Sequence, residues 1–229
     1  MSKCINIVKR LALFFIGMSI IQFGVALFIK TNIGSDPFTV FTQGLANGLN
    51  NLGLNATTGT ANRIILVILF AIIFLVEKHR IKIGTLICVL GVGPIIDMSV
   101  NIVSKFPIES YGYPIKIGLV VLGCFIIAVG FSILSSTNVG VAPNDIVPFI
   151  IQDKLKVEYH WIRIGIDATF LVVGFILGGV VGLGTVIAML TTGPFIQVCL
   201  PYGEKFVNFI LNEKEVIEEV IEEVKCCIE

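Results

Sequence analysis

The stretch Thr31-Asn32-Ile33-Gly34-Ser35-Asp36-Pro37 decides the fold, because it recurs 106 residues later as Thr137-Asn138-Val139-Gly140-Val141-Ala142-Pro143. Around it, residues 17–37 and 123–143 are identical at eight of 21 positions. Residues 83–97 and 183–197 are identical at seven of 15, including a Gly-Thr start and a Gly-Pro near the end. Shared apolar composition would not place these motifs at matched positions, so the sequence predicts an internal duplication.

The composition excludes a water-soluble protein. Of the 229 residues, 55% are hydrophobic and only 14% are charged, and the mean hydropathy is +0.96. Soluble domains carry about 25% charged residues, so this chain has too little polar surface to cover a soluble globule. We therefore expect an all-α, polytopic membrane protein whose surroundings are the lipid bilayer. The net charge of zero provides no basic field for binding nucleic acid.

Six apolar runs are candidates for transmembrane helices. They are residues 11–29, 62–76, 83–103, 115–135, 161–178 and 183–200. A helix rises about 1.5 Å per residue, so about 20 residues cross a hydrocarbon core of about 30 Å. The first run is too long for the apolar region of a signal peptide, so we expect it to stay as a helix.

Two further apolar segments, Pro37–Leu49 and Pro143–Leu155, have 13 residues each and are too short to span. Each follows a glycine-containing turn and begins with proline, which is typical of the first position of a helix. We interpret them as two half-helices that enter the membrane without crossing it. The alternative is two short, strongly tilted crossings.

The number of crossings per copy sets the relative orientation of the two copies. Three crossings would make them inverted tandem repeats (3+3), whereas four would make them parallel (4+4). The count of basic residues on each side is the same in both schemes. The inverted scheme gathers the basic clusters on the cytoplasmic side, and we prefer it for that reason. It places both termini in the cytoplasm.

The chain divides into membrane repeat 1 (residues 1–103), membrane repeat 2 (104–203) and an acidic tail (204–229). The tail holds eight of the 16 acidic residues. Valine and isoleucine form one stripe along it, which predicts an amphipathic helix. Its negative charge opposes contact with anionic lipid, so we expect it to contact a partner protein, a second copy in a homo-oligomer, or the basic cytoplasmic loops.

The repeated turns, together with the spans that run from Gly84-Thr85 to Gly93-Pro94 and from Gly184-Thr185 to Gly193-Pro194, resemble the YczE-type bacterial inner-membrane proteins, relatives of the YitT group. The resemblance covers about residues 10–200. It implies a multi-pass protein of the bacterial cytoplasmic membrane and no settled activity. In that family an acid follows the turn proline by two residues. Copy 2 keeps it as Asp145, whereas in copy 1 the acid is Asp36, before the proline.

Polar residues in or near the repeated motifs are the candidates for binding a solute. In an inverted pair, the positive N-termini of both half-helices would frame one cavity. The candidate residues are Thr31, Asn32, Gly34, Asp36, Arg63, Asp97, Thr137, Asn138, Gly140, Asp145, Arg163 and Gln197. The arginines favour an anionic or zwitterionic solute, whereas the aspartates favour a cation or a proton.

Each candidate also has a purely structural interpretation. Asp36 suits an N-cap and Asp145 suits the first turn of a half-helix. Asn32 and Asn138 suit a left-handed turn. Asp97 could be an acid at the membrane interface, and Arg63 and Arg163 could be anchors at the membrane edge.

The sequence contains no catalytic triad order, metal-ligand cluster or phosphate-binding loop, so we expect neither an enzyme nor a metal or cofactor site. Duplicated spans with broken helices are typical of secondary transporters. We therefore expect a carrier of a small polar or anionic solute. The alternative is a non-transporting accessory or scaffold protein that supports another membrane process.

Overall fold

A computed structural model describes residues 2–156 and 159–211, and this part of the chain is built from α-helices without β-strands. Two short 3₁₀ turns, Lys78–Arg80 and Ile108–Ser110, lie between helices. The helices are α1 (Ser2–Thr31), α2 (Pro37–Asn51), α3 (Thr58–Glu77), α4 (Ile83–Val103), α5 (Tyr113–Ser136), α6 (Pro143–Leu155), α7 (Tyr159–Ile176) and α8 (Leu183–Leu211).

Five helices, α1, α3, α4, α5 and α8, are long and apolar enough to cross a membrane. They contain five of the six predicted runs. The sixth run, 161–178, falls on α7, whose apolar described part is the shorter segment Ile164–Ile176. The all-helical, multi-pass class is therefore confirmed, whereas the sixth span remains a prediction.

The two predicted half-helices begin where the sequence places them. α2 starts at Pro37 and has 15 residues, and α6 starts at Pro143 and has 13. Such helices are about 20–22 Å long, which is short for a hydrocarbon core of about 30 Å. The Asp36 carboxylate accepts a hydrogen bond of 3.1 Å from the Thr39 amide, so the predicted N-cap is confirmed.

The centre of the fold is an antiparallel pair, α1 and α5, that crosses on glycine. A Cβ atom added to Gly17 would lie 2.9 Å from the Gly130 carbonyl oxygen, and one added to Gly24 would lie 2.9 Å from that of Gly123. Residue numbers rise along one helix as they fall along the other, so the two chain directions oppose each other. Small residues allow this close backbone approach.

The antiparallel pair places the repeated turns at opposite ends of the bundle. The Arg10 guanidinium donates a hydrogen bond of 3.0 Å to the Thr137 carbonyl, so the turn at 137–143 lies beside the start of α1. The turn at 31–37 follows the end of the same helix, about 30 Å away at 1.5 Å per residue. We call these the turn-1 end (residues 31–37) and the turn-2 end (residues 137–143).

Each turn docks on the first residues of a long helix from the other half of the chain. The Gly184 amide donates to the Ile33 carbonyl over 2.8 Å, and the Gly84 amide donates to the Val139 carbonyl over 3.1 Å. Gly34 has a φ of +116° and lies so close to Thr185 that an added Cβ would be 2.7 Å from its amide nitrogen. The turn therefore requires glycine for both its conformation and its packing.

α8 continues beyond the predicted boundary of membrane repeat 2 at residue 203. It ends at Leu211, and its last turns bury Val207 and Leu211 against Leu13 and Ile133. This apolar face packs on α1 and α5, so residues 204–211 continue the helix bundle past the predicted boundary at residue 203. The rest of the predicted tail, residues 212–229, lies outside the described residues.

Candidate functional site

The prediction that both turns frame one cavity is wrong. Since α1 and α5 are antiparallel, the turn-1 and turn-2 ends lie about 30 Å apart, the length of 21 helical residues. The candidate residues Thr31, Asn32 and Gly34 are therefore separated from Thr137, Asn138 and Gly140. Any site that uses a turn uses one of the two.

The turn residues mainly shape the backbone. Thr31 donates its hydroxyl to the Phe28 carbonyl over 2.9 Å, and Thr137 donates to the Leu134 carbonyl over 2.7 Å, so both hydroxyls are bound by their own helices. Asn32 and Asn138 have φ angles of 54° and 57°, which is the left-handed conformation expected of a turn. Both asparagine side chains are exposed.

Asp97 binds the N-terminus of the neighbouring helix α3. Its Oδ2 accepts a hydrogen bond of 2.7 Å from the Thr57 hydroxyl, and its Oδ1 accepts one of 3.1 Å from the Gly59 amide. The positive end of the α3 dipole thus provides the partner that an acid inside a span requires. The contact holds α3 against α4, where Gly59 and Gly93 meet.

The matched pair α7 and α8 is packed differently. A Cβ added to Gly93 would lie 2.5 Å from the Gly59 carbonyl oxygen, whereas one added to Gly193 would meet no described atom within 4 Å. Gln197, the counterpart of Asp97, is exposed. Over the described residues, α3 packs along α4, whereas the main partners of α7 are α2 and α6.

The remaining charged candidates are Arg63, Asp145 and Arg163. Arg63 is exposed on α3, with its Cβ beside Gly93. Asp145 is half-buried in the first turn of α6 and accepts a hydrogen bond of 3.2 Å from the Asn144 amide group. The side chain of Arg163 lies outside the described part of the structure. Among the described residues, no group of His, Cys, Asp and Glu could hold a metal ion.

Turn 1, α2 and α8 each carry buried side-chain oxygens that lack a hydrogen-bond partner. Within the described part of the chain these four atoms have no hydrogen-bond partner. We call them the turn-1 polar group: Ser35 Oγ, Asp36 Oδ1, Gln43 Oε1 and Thr192 Oγ1. The Cys124 thiol on α5 lies beside the hydroxyls of Thr191 and Thr192 and interacts electrostatically with Asp36. Asp36 of turn 1 and the Thr191-Thr192 pair of α8 therefore act on the same thiol of α5.

The equivalent positions at the turn-2 end are apolar. Val141, Ala142 and Phe149 occupy the places of Ser35, Asp36 and Gln43. Val139, Val141 and Ala142 pack against a buried cluster that contains Phe14 and Leu66. The two ends therefore differ in chemistry. Beside turn 2 the unpartnered buried side-chain oxygen of the described chain is a hydroxyl, Thr85 Oγ1, whereas the turn-1 polar group includes a carboxylate oxygen.

The sequence interpretation singled out Asp36 but missed its neighbours in this group. Ser35, Gln43 and Thr192 differ from the residues at the matched positions, which are Val141, Phe149 and Val92, so the repeated motifs do not point to them. The sequence feature that points to them is a difference at matched positions, where one half of the chain has a polar residue and the other half has an apolar one. Asn62, which is 5% exposed and has an unpartnered Oδ1, follows the same pattern because its counterpart is Ile162.

Several long apolar helices, a glycine-packed central pair and a buried polar group define a multi-pass helical membrane protein. The chain matches the model of a family of unknown function, DUF6198, over residues 8–201, and it belongs to that family. The YczE-type resemblance is confirmed: the chain is 28% identical to the uncharacterized membrane protein YczE of Bacillus subtilis over 210 residues, covering 91% of this chain and 94% of that protein.

Two other relatives have similar coverage. One is the uncharacterized protein YyaS of Bacillus subtilis, 29% identical over 83% of this chain and 92% of its own. The other is an uncharacterized protein of Haemophilus influenzae, 24% identical over 82% of each chain. No solved structure matches the chain.

Proposed function

We propose that the protein is a secondary transporter of the bacterial cytoplasmic membrane that moves a small polar solute, and that it is built from two inverted repeats. In this arrangement α1, α3 and α4 correspond to α5, α7 and α8, which gives three crossings per repeat. The antiparallel crossing of α1 and α5 supports inversion over the parallel alternative. The reciprocal hydrogen bonds Gly184–Ile33 and Gly84–Val139 support it as well, because exchanging the repeats exchanges the two bonds.

The distribution of basic residues supports a cytoplasmic location for the turn-2 end. Lys9 and Arg10 donate to the carbonyls of Ile210 and Thr137 there, and Lys82 donates to that of Asn138. At the turn-1 end, Lys30 is paired with Glu109 at 3.4 Å. Because cytoplasmic segments carry an excess of lysine and arginine, we place both termini in the cytoplasm.

The observation that carries the proposal is the unequal packing of two matched helix pairs. Carriers with inverted repeats alternate their access when the two repeats exchange conformations. Here α3 is held on α4 at Gly59 and Asp97, whereas in the described part of the chain Gly193 meets no neighbour at its Cβ position and Gln197 is exposed. Such a molecule is closed on the turn-1 side and open on the turn-2 side, that is, towards the cytoplasm. In the opposite state we expect α7 to close on α8 and α3 to separate from α4.

The turn-1 polar group supports a polar solute. Its unpartnered atoms are carboxylate, amide and hydroxyl oxygens. A buried polar atom without a partner costs free energy, so a ligand that donates hydrogen bonds would relieve that cost. Arg63, which had favoured an anion, is exposed on α3 and is not a member of this group.

The test is an uptake screen with the full-length protein in proteoliposomes, using labelled amines, amino acids, vitamins and organic anions. Uptake of one class above that of protein-free vesicles is the expected result. If no class is taken up and a stable partner co-purifies, the transporter proposal is contradicted and the accessory or scaffold role is favoured.

A cross-link tests the alternating mechanism once a solute is found. In a cysteine-free background, Thr57→Cys with Asp97→Cys replaces a pair whose oxygens are 2.7 Å apart. We expect the disulfide to stop uptake and a reductant to restore it. The two single variants are the matched controls, because they carry the same substitutions and cannot cross-link. Full uptake by the oxidised double variant would contradict the movement of α3 relative to α4.

A further inference from the structure

Asp36 is a carboxylate with one satisfied and one unsatisfied oxygen inside a membrane protein. Its Oδ2 accepts from the Thr39 amide over 3.1 Å, whereas its Oδ1 is buried and has no partner among the described residues. The ion pairs found in the described chain do not include Asp36. The N-terminus of α2 offsets about half a charge, which leaves part of the negative charge without compensation.

Two further oxygens of the turn-1 polar group, on Ser35 and Thr192, lack a hydrogen-bond partner among the described residues. Ser35, 1% exposed, has an unpartnered Oγ next to Asp36 in the chain. Thr192 Oγ1 has no partner at full hydrogen-bond geometry, although it interacts weakly with the Cys124 thiol, which also interacts with Asp36. These oxygens are not hydrogen-bonded to one another. A charge in such an interior is stable when it binds an ion of opposite sign.

We infer that Asp36, with Ser35 and Thr192, binds a small monovalent cation at the turn-1 end. One carboxylate with neutral oxygens suits a single positive charge, whereas calcium sites use several carboxylates. The cation is either a free alkali ion or the ammonium group of a solute, because both satisfy acceptor oxygens. A role of this cation in transport rests on the proposed function. Binding itself is measurable without transport.

The turn-2 end provides a contrast within the same molecule. Ala142 stands at the position of Asp36, and Val141 at that of Ser35. Asp145 is also close to the start of a half-helix, but its carboxylate accepts from Asn144 and it has no place among the unpartnered buried atoms of the described chain. The cation site is therefore expected in one repeat only, and Asp145 is the matched control.

The experiment is thermal unfolding of the full-length protein in detergent. The choline chloride of the buffer is replaced stepwise by sodium, potassium, ammonium or methylammonium chloride at constant ionic strength, so that screening stays unchanged. A cation that binds the folded state raises the Tm with the logarithm of its concentration. A response to sodium or potassium identifies a free ion. A response to the ammonium salts alone identifies the amine of a solute.

The variants decide whether the response arises at Asp36. Asp36→Asn keeps an N-cap side chain, so we expect it to fold and to lose the cation dependence. Asp145→Asn should keep it. Ser35→Ala and Thr192→Ala should each raise the half-saturating concentration by about three- to tenfold, the equivalent of one lost contact. If Asp36→Asn does not fold, these two variants decide the question.

A wild-type protein whose Tm responds to none of these cations overturns the inference, as does an unchanged response in Asp36→Asn. The failure of the proposed function is a separate result. A cation response without uptake of any solute would support the cation site and contradict the transporter proposal. Uptake of a solute without a cation response would support the transporter proposal and contradict the cation site.

Discussion

Gly93 and Gly193 occupy matched positions in the two halves of the chain, and Gly93 meets Gly59 of the preceding helix whereas Gly193 meets no described residue of the helix before it. An added Cβ would lie 2.5 Å from the Gly59 carbonyl oxygen at the first position and would meet no described atom within 4 Å at the second. The same residue in the same motif thus lies in a close contact between α3 and α4 but not in one between α7 and α8. This difference can be tested by substitution.

We expect Gly93→Ala to destabilise the protein by about 1–3 kcal/mol, the usual cost of an overpacked contact, because the α3 backbone cannot yield. Gly193→Ala is the matched control. It should be neutral or stabilising by up to about 1 kcal/mol, since alanine favours a helix more than glycine does. Thermal unfolding in detergent measures both. Equal losses in the two variants would contradict the asymmetry.

Asp97→Ala should remove the two hydrogen bonds that fix the start of α3. Replacing a helix cap costs about 0.5–2 kcal/mol, so we expect a lower Tm and faster thiol labelling of a cysteine placed at Thr60. Gln197→Ala, at the exposed counterpart, should change neither quantity. If Gln197→Ala is destabilised as much as Asp97→Ala, the loss of stability does not come from the capping contact of Asp97.

Asn55 and Lys78 are both exposed and lie at opposite ends of α3, so they report the orientation of the chain. In a cysteine-free protein in whole cells, an impermeant thiol reagent should label Asn55→Cys and spare Lys78→Cys. Lysed cells provide the control, in which both should react. The reverse pattern in intact cells would be incompatible with cytoplasmic termini and three crossings per repeat.

Gly34→Ala should be one of the most damaging substitutions in the chain. Its φ of +116° strains an alanine, and the new Cβ would lie 2.7 Å from the Thr185 backbone nitrogen. Gly53 also has a positive φ, of +83°, but a Cβ added there would meet no described atom within 4 Å. It therefore separates the effect of backbone strain from that of the steric contact. Gly53→Ala should cost about 1–2 kcal/mol through backbone strain alone, whereas Gly34→Ala should reduce the folded yield. Similar yields would indicate that the docked turn adjusts to the extra atom.

The sequence allowed the helical membrane class, the starts of α2 and α6 and the Asp36 cap to be predicted, because each depends on local chemistry. Pro37 and Pro143 begin helices for reasons that act within a few residues. The long apolar runs predict spans in the same way, although α8 passes residue 203 because Val207 finds a partner on α1, which local chemistry does not reveal.

The site was harder to predict because it depends on the relation between distant segments. The hypothesis of a shared cavity assumed that matched turns meet, whereas the Gly17–Gly130 and Gly24–Gly123 contacts separate them. Searching for residues shared by both copies found those that hold the fold, such as Thr31 and Gly34. The unpartnered atoms of Ser35 and Thr192 are particular to one copy, so sequence symmetry concealed them.

The crossed docking of the turns has a consequence for the order in which the protein is assembled. The Val139 carbonyl accepts a hydrogen bond from the Gly84 amide, and Gly84 is synthesised before Val139. Turn 2 can therefore form this bond as soon as it is synthesised. The hydrogen bond of the Ile33 carbonyl cannot form until Gly184 has been synthesised, and by then nearly the whole membrane region has been made. Truncated chains that end before α8 should therefore keep turn 1 open to proteolysis while turn 2 is already protected.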